Sequence, residues 1–355
     1  MIWLFLLCLA LVCFLLQRTW AERVLAWLRY EKRCSQTLAE VGEPVAVTAR
    51  LENHGPLPII FIHTQEFFPP EATIHEDPRW MEDHMHERLG DQCVDEKLFL
   101  MPHQRRTTTV HVSFPRRGWY PLRGSQISTG DFFGLENASR REAPAGEVVV
   151  MPPRYRDTDL TNTLGGFLGD ISVRRFILED PVLTTGFREY TGREPMKSIS
   201  WPQSARCGHL VVKQYDHTVD LSVTVLLNAE GGTSGQLEQC FSMTRTVCET
   251  LESKGIPYDL RTNADLIGPM GTLHHISQGL GRRHLNTILY GLGRSFCRCV
   301  QPLDELVGQC RAAQNANRSY VVVSPPLSGE QRLALQTLRA GGVAMTIFIG
   351  EEEDQ

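Results

Sequence analysis

From Leu221 to the C-terminus the chain alternates short, near-continuous apolar runs with longer amphipathic stretches, and few architectures satisfy that alternation. The runs "LSVTVLLNA", "PYDLRTNA", "SYVVVSPP" and "VAMTIFIG" are rich in β-branched residues and too short for helices. Between them, "GQLEQCFSMTRTVCETLESKG", "RRHLNTILYGLGRSF", "LDELVGQCRAAQNA" and "SGEQRLALQTLRAGG" read as helices. Strands that are apolar on both faces belong to a mainly parallel sheet with helices on each side, a doubly wound α/β domain. Ser328 with Gln331 three residues later predicts a capping box, Gly341 a helix stop, and "EEEDQ" a solvated tail.

Residues 38–151 show a different pattern. "PVAVTARLENHG", "PIIFIHTQEF", "RTTTVHVSFPRRGWYPL" and "GEVVVMPP" alternate β-branched or aromatic residues with polar ones, which predicts an antiparallel, β-sandwich-like domain. Its middle, "HEDPRWMEDHMHERLGDQCVDEK", is expected to be an irregular, charge-rich insertion, and Asp131-Phe132-Phe133-Gly134-Leu135 a turn into a strand. Residues 152–216 read as a connector rich in Thr, Gly and Arg, and 217–355 as the α/β domain. A length of 355 residues accommodates two such domains.

The N-terminal run "MIWLFLLCLALVCFLLQ", residues 1–17, has no charged side chain. It is short against the roughly 20 residues of a bilayer span but within the range of about 17–25. Arg18, Arg23, Arg29, Lys32 and Arg33 come after it and no basic side chain precedes it. By the positive-inside rule this is a single-pass transmembrane helix in the cell inner membrane, with the globular part cytoplasmic. The rival reading, a secretory signal, lacks a basic n-region and an A-x-A-like cleavage site. In residues 18–37, Trp20, Val24, Leu25, Trp27, Leu28 and Tyr30 interleave with charges at helical spacing. An interfacial helix, a continuation of the membrane helix and a second crossing all fit that spacing.

Composition removes several function classes. With 36 basic and 41 acidic side chains, a formal charge of −5 and no Lys/Arg block, nucleic acid is not an expected partner. Ten scattered cysteines suit reduced thiols in the cytosol. Cys297-Arg298-Cys299 reads as a helix-borne structural pair, and His84, His86 and Cys93 as polar surface rather than a metal site. No G-x-x-x-x-G-K-[ST] phosphate loop occurs, and Ser204 has no G-x-S-x-G elbow. Cys207 and His209 would alternate across a strand rather than meet. The chain is therefore expected not to be an enzyme.

Within "GFREYTGREPMKSISWPQSARCGHLVVK", Arg188, Tyr190, Gly192, Ile199, Trp201, Ser204, Ala205, Arg206 and Leu210 match an Arg-x-Tyr-x-x-Gly-Asp, Ile-x-Trp, Ser-Ala-Arg series, with Arg193 in place of the Asp. "RRGWYPL", "TGDFFGL" and "HLNTILYGL" extend the series along the chain. From about Leu38 onward the chain resembles domain-of-unknown-function family 58. The resemblance implies a membrane-anchored β-domain joined to a von Willebrand factor A-like domain. It also implies an accessory or adaptor role for a MoxR-type AAA+ ATPase, alongside other membrane proteins of the same gene neighbourhood. Many members carry two or more N-terminal membrane helices, where this chain has one clear run.

In von Willebrand A domains a metal-ion-dependent adhesion site, Asp-x-Ser-x-Ser, comes after the first strand. The positions that match are Asn228, Glu230 and Gly232. Asn keeps an oxygen without the charge, Glu offers a carboxylate on a longer arm, and Gly offers nothing, whereas Mg²⁺ wants near-octahedral oxygen ligation. A degenerate, metal-free site is expected, so no cofactor. The alternative is a relocated Mg²⁺ site on Glu230 with Thr233 or Ser234, in a structural envelope component. For Arg188, Tyr190, Gly192, Trp201, Ser204 and Arg206 two readings stand. They form a partner-binding patch of hot-spot residues, or Trp201 and Tyr190 pin the segment to the sheet while the arginines pair with local acids.

Overall fold

The computed structural model describes residues 22–88, 90–130, 137–144, 146–177, 184–192, 194–215, 222–267, 274–312, 318–340 and 343–351. The apolar run 1–17, the Asp131–Leu135 turn, Arg193, the Gly341 stop and the last four residues of the acidic tail lie outside them. Among the described residues no helix is long and apolar enough to cross a membrane. The chain is mixed α and β, divided into two compact units, Met1–Pro153 and Arg154–Gln355.

The first unit is built on antiparallel sheets. Strands β1 (Leu28–Cys34), β3 (Val45–Asn53), β8 (Arg105–Ser113) and β5 (Thr73–Ile74) lie side by side in that order. A second sheet runs β11 (Asn137–Glu142), β10 (Ser125–Gly130), β4 (Ile59–Phe68), β7 (Asp91–Leu100), β6 (Met85–Arg88). A third joins β2 (Leu38–Ala39), β12 (Glu147–Val150) and β9 (Gly118–Pro121). Val45 and Val47 of β3, Val110 and Val112 of β8, Phe68 of β4, Val94 of β7 and Val148 and Val150 of β12 share one buried core. Burying each such side chain favours folding by about 1.5–3 kcal/mol, which holds the sheets face to face.

Two expectations for this unit are corrected. Residues 22–27 are helical (α1), but Leu28–Cys34 is a strand rather than the rest of an interfacial helix. Leu28, Tyr30, Lys32 and Cys34 turn toward the buried interior while Arg29 and Arg33 are exposed, and each residue pairs with β3, so period 2 governs in place of helical spacing. The antiparallel β region thus begins ten residues before Leu38. The charge-rich insertion is ordered as well: it forms α2 (Pro78–His84), capped by the Asp77 carboxylate, and then the β6–β7 hairpin. β7 pairs with β4 over most of its length, so this segment completes the second sheet.

In the second unit the main sheet has the order β18 (His275–Gly279), β16 (Tyr258–Thr262), β15 (Ser222–Leu227), β20 (Arg318–Ser324), β21 (Met345–Ile349). All pairs are parallel except β16–β18. Leu226, Tyr320 and Val322 share a core with α7 (Leu303–Ala312) and α8 (Gly329–Arg339). The alternate strand residues, including Val225 and Val321, point to the other face, where α5 (Ser234–Ser253) packs on β15 and β20. Every residue of β15 is buried, as a doubly covered strand requires. The capping box at Ser328 and Gln331 is present, and Thr233 and Gln236 make a second one on α5.

The expected connector is mostly structured and belongs to this second unit. α3 (Thr158–Ile177) packs against α5 and β21. Just before it, Arg154 pairs with Glu249 at 2.7 Å and Tyr155 N–H donates to Thr246 Oγ1. β13 (Thr184–Glu189) and β14 (Val211–Tyr215) then form an antiparallel pair enclosing α4 (Trp201–Cys207). α6 (Arg282–Arg294) ends before Cys297 and Cys299, which lie on β19 (Ser295–Cys299) rather than on a helix. β19 pairs with β17 (Ala264–Leu266).

Candidate functional site

β15 is flanked in the sheet by β16 on one side and β20 on the other, so the chain reverses direction across the sheet there. In open α/β sheets ligands bind outside the carboxyl ends of the strands at such a switch point. Asn228, the residue after β15, is fully buried at that place. Its Nδ2 donates to Ser324 Oγ at the end of β20 (2.9 Å). Its Oδ1 accepts from Asn263 Nδ2, beyond β16 (2.9 Å), and from Glu230 N–H (3.0 Å). Asn263 Oδ1 in turn accepts from Ala229 N–H (2.7 Å), its Nδ2 also donates to the Gln301 carbonyl (3.1 Å), and Ser324 Oγ donates to the Pro325 carbonyl (2.8 Å). Three strand ends are tied together by neutral polar groups whose bonds are mutually satisfied, which a buried polar cluster needs to be stable.

The neighbouring candidate ligands have partners within the protein. The Glu230 carboxylate accepts from the Leu303 N–H at 2.7 Å, placing its charge at the N-terminus of α7. Gly232 has φ of 77°, and a Cβ there would lie 2.5 Å from the Pro325 Cβ, so this position excludes any hydroxyl side chain. Thr233 Oγ1 accepts from Gln236 N–H, and Ser234 is exposed on the first turn of α5. Among the described residues no group of three or more His, Cys, Asp or Glu side chains is arranged to hold a metal ion. Of this set the sequence pointed to Asn228, Glu230, Gly232, Thr233 and Ser234; it did not single out Asn263, Ser324 and the Leu303 N–H. The only advance signal for the first two was their position just after "YDLRT" and at the end of "YVVVS".

The thiols near this sheet are chemically quiet. Burial pushes Cys240 up to about 12 and Cys310 up to about 11, so both stay protonated near neutral pH. Cys297 Sγ donates to Glu238 at 3.3 Å. In the first unit, Cys93 is pushed up to about 12 by burial and donates to Asp95; His86 is its partner across the β6–β7 hairpin, and His84 stacks on Trp80.

The 188–206 signature combines internal struts with exposed side chains. Arg188 pairs with Glu194 at 2.6 Å, and Glu194 also accepts from the Thr191 hydroxyl and backbone N–H. The Thr191 hydroxyl bond, reinforced by backbone bonds and Arg188, holds the Glu194 carboxyl down to about 2. Gly192 takes φ of 85° in that turn, a conformation open to glycine. Ser204 is buried: it donates to the Ser200 carbonyl (2.8 Å) and accepts from Val211 N–H (2.9 Å), fastening α4 to β14. Trp201 points outward, 59% exposed, with Met196 at 67% and Phe187 at 47%. Tyr190 is half-buried and Arg206 exposed. Trp201 therefore does not pin the segment, and among the described residues Arg188 alone of the two arginines makes the local ion pair expected of both.

A buried ionic cluster in the first unit had no signal in the sequence. Lys32 Nζ lies 2.9 Å from Glu66, whose carboxylate also accepts from Tyr30 (2.6 Å) and Ser125 (2.5 Å). Burial, with Glu66 beside it, holds the Tyr30 phenol well above its usual range.

Comparison with protein-family models finds no match, and comparison with curated proteins finds none. Solved structures offer partial likenesses. The CARDB domain of a Pyrococcus furiosus protein, solved with di-metal ions, is 12% identical, covering 35% of this chain and 86% of that one, with a TM-score of 0.22. The Bacillus cereus major pilin subunit BcpA is 6% identical over 36% of this chain and 41% of its own, with a TM-score of 0.24. Pseudomonas fluorescens alkylpurine DNA glycosylase AlkC is 9% identical over 35% and 30%, with a TM-score of 0.21. At such TM-scores these likenesses carry no argument about fold or function.

Proposed function

We propose that this chain is a non-catalytic, membrane-anchored protein-binding module, an adaptor or accessory protein for a MoxR-type AAA+ ATPase at the inner membrane of a bacterium. The observation that carries this reading is the signature segment. Its backbone is fastened by Ser204, Gly192 and Glu194, while Trp201, Met196 and Phe187 face solvent. A segment that exposes a Trp, further apolar side chains and Arg206 has the composition of an interface hot spot.

In this reading the second unit is von Willebrand factor A-like. What supports it is the order of the main sheet, parallel through β16, β15, β20 and β21 with one antiparallel edge strand, and helices on both faces. The adhesion site is degenerate. Supporting this, the Asn228 oxygen, the Glu230 carboxylate and the Thr233 hydroxyl each accept a hydrogen bond from the protein itself.

The test is affinity capture of the tagged full-length chain from gently solubilised membranes, with and without ATP. A MoxR-type ATPase retained in a nucleotide-dependent yield, and lost from a Trp201→Ala/Arg206→Ala variant, is the expected result. Absence of any ATPase in both nucleotide states would overturn the adaptor role. For the metal, millimolar Mg²⁺ or Mn²⁺ is expected to leave the melting temperature unchanged. A rise abolished by Glu230→Ala would favour the relocated site instead.

A further inference from the structure

One end of the first unit carries large apolar side chains that its fold turns outward. β4 and β7 pair as Ile59 with Leu100 and Ile62 with Leu98, so Ile60 and Phe61 together face Phe99 alone. This is a bulge, and it lets two consecutive side chains of one strand escape the core where alternation would bury one of them. Ile60 is 46% exposed, Phe61 54% and Phe99 66%. The adjoining Leu57 and Met101 are also exposed, and the fully buried Asn53 donates from Nδ2 to both of their carbonyls, at 2.9 and 3.1 Å. The Leu57 and Met101 backbones are thereby tied together next to the bulge, and Phe61, Phe99 and Lys97 help to line a groove of about 700 Å³.

The same end receives the chain from its N-terminus. Val24, Leu25 and Leu28 pack with Ile59, Ile62 and Leu100 beneath the bulge. His54 N–H donates to the Trp27 carbonyl, and Gly55 lies so close to the Trp27 ring that a Cβ would sit 2.4 Å from it. Between Gln17, the end of the apolar run, and Glu22 there are only four residues. Even fully extended, that link spans roughly 18 Å. An apolar run shorter than the hydrocarbon thickness also draws its flanking residues toward the interface.

We propose that Leu57, Ile60, Phe61, Phe99 and Met101 form a bilayer-contact surface, seated in the headgroup and acyl boundary on the cytoplasmic side, with Lys97 at the lipid phosphates. This rests on the reading of residues 1–17 as a membrane anchor. Large apolar side chains exposed together mark an interaction surface, and one seated at the membrane interface buries such side chains by about 5–10 Å.

The test is the full chain reconstituted in vesicles that contain a lipid with a photoreactive acyl chain, irradiated and mapped by peptide mass spectrometry. Adducts are expected on residues 57–61 and 99–101 as well as on residues 1–17. In a Phe61→Ser/Phe99→Ser variant, whose altered side chains are exposed, adducts on 57–61 and 99–101 should fall severalfold while those on 1–17 persist. Adducts confined to 1–17 in the unaltered chain would overturn the surface while leaving the anchor standing, and would assign the patch to a protein partner or a second copy. Adducts on neither segment would overturn the anchor and the surface together.

Discussion

Asn263 Nδ2 donates to Asn228 Oδ1 at 2.9 Å, joining the carboxyl ends of two neighbouring parallel strands. Because Asn228 also donates to Ser324, a carboxylate cannot replace it without losing a donor. Asn228→Asp is expected to destabilise the second unit by about 1–3 kcal/mol, from the lost donor to Ser324 Oγ and an added buried charge. Urea denaturation measures this, and added Mg²⁺ should not restore the loss. The coupling can be checked with Asn263→Ala, whose effect combined with Asn228→Ala should be well short of additive.

The Glu230 carboxylate stands at the start of α7, where it meets the Leu303 N–H. Glu230→Ala removes both a capping bond and a favourable charge at the helix N-terminus, at a cost of about 0.5–2 kcal/mol. Glu230→Gln should keep part of that stability. A thermal melt of the three proteins side by side separates the cap from a purely electrostatic role.

Lys32 and Glu66 are both largely withdrawn from water, and Glu66 has three donors around it. Lys32→Met strands the carboxylate and is expected to destabilise the first unit by about 3–5 kcal/mol. Lys32→Met with Glu66→Gln should be markedly more stable than the single variant, since no charge is left buried. Denaturation midpoints of single and double variants give the comparison.

The Glu194 carboxyl titrates at about 2 in the folded chain, below the ordinary value for Glu of about 4.3, mainly through the Thr191 hydroxyl. A depressed folded value means that the turn's stabilisation is present above the ordinary value and is lost as pH falls toward 2. Carboxyl carbon NMR should place the Glu194 midpoint near 2, and Thr191→Val should move it upward.

In the signature segment, buried and exposed residues should separate cleanly. Ser204→Ala removes one bond from α4 to β14 and one to the Ser200 carbonyl at the start of α4, and is expected to cost about 1–2 kcal/mol. Trp201→Ala alters an outward-facing side chain and should stay within about 0.5 kcal/mol of the parent. A stability loss for Trp201→Ala as large as that for Ser204→Ala would contradict the exposed placement.

Several elements are hard to read from the sequence for identifiable reasons. α3 carries Leu160, Leu164, Leu168 and Ile171, all buried and at helical spacing, but Gly165, Gly166 and Gly169 disguise the pattern as a loop. β7 is hidden among charges because Cys93, Val94 and Leu100 are its only buried residues. Residues 28–34 resemble helix because Trp27, Leu28 and Tyr30 match a helical stripe, while the strand's buried Lys32 looks like a surface charge. In each case the deciding partner, α5, β4 or Glu66, lies far away in the chain.

What the sequence determined by itself was the succession of strands and helices after Leu221 and the capping box at Ser328, because period and capping act between residues a few positions apart. It also determined which side chains come after β15. The role of those side chains was decided by tertiary structure alone: Asn228 meets Asn263 and Ser324 only once β16 and β20 flank β15. Likewise Ile60 and Phe61 turn outward only because β4 pairs with β7 through a bulge. Hydrogen bonds and strand register between distant segments are properties of the assembled sheet, and no local pattern encodes them.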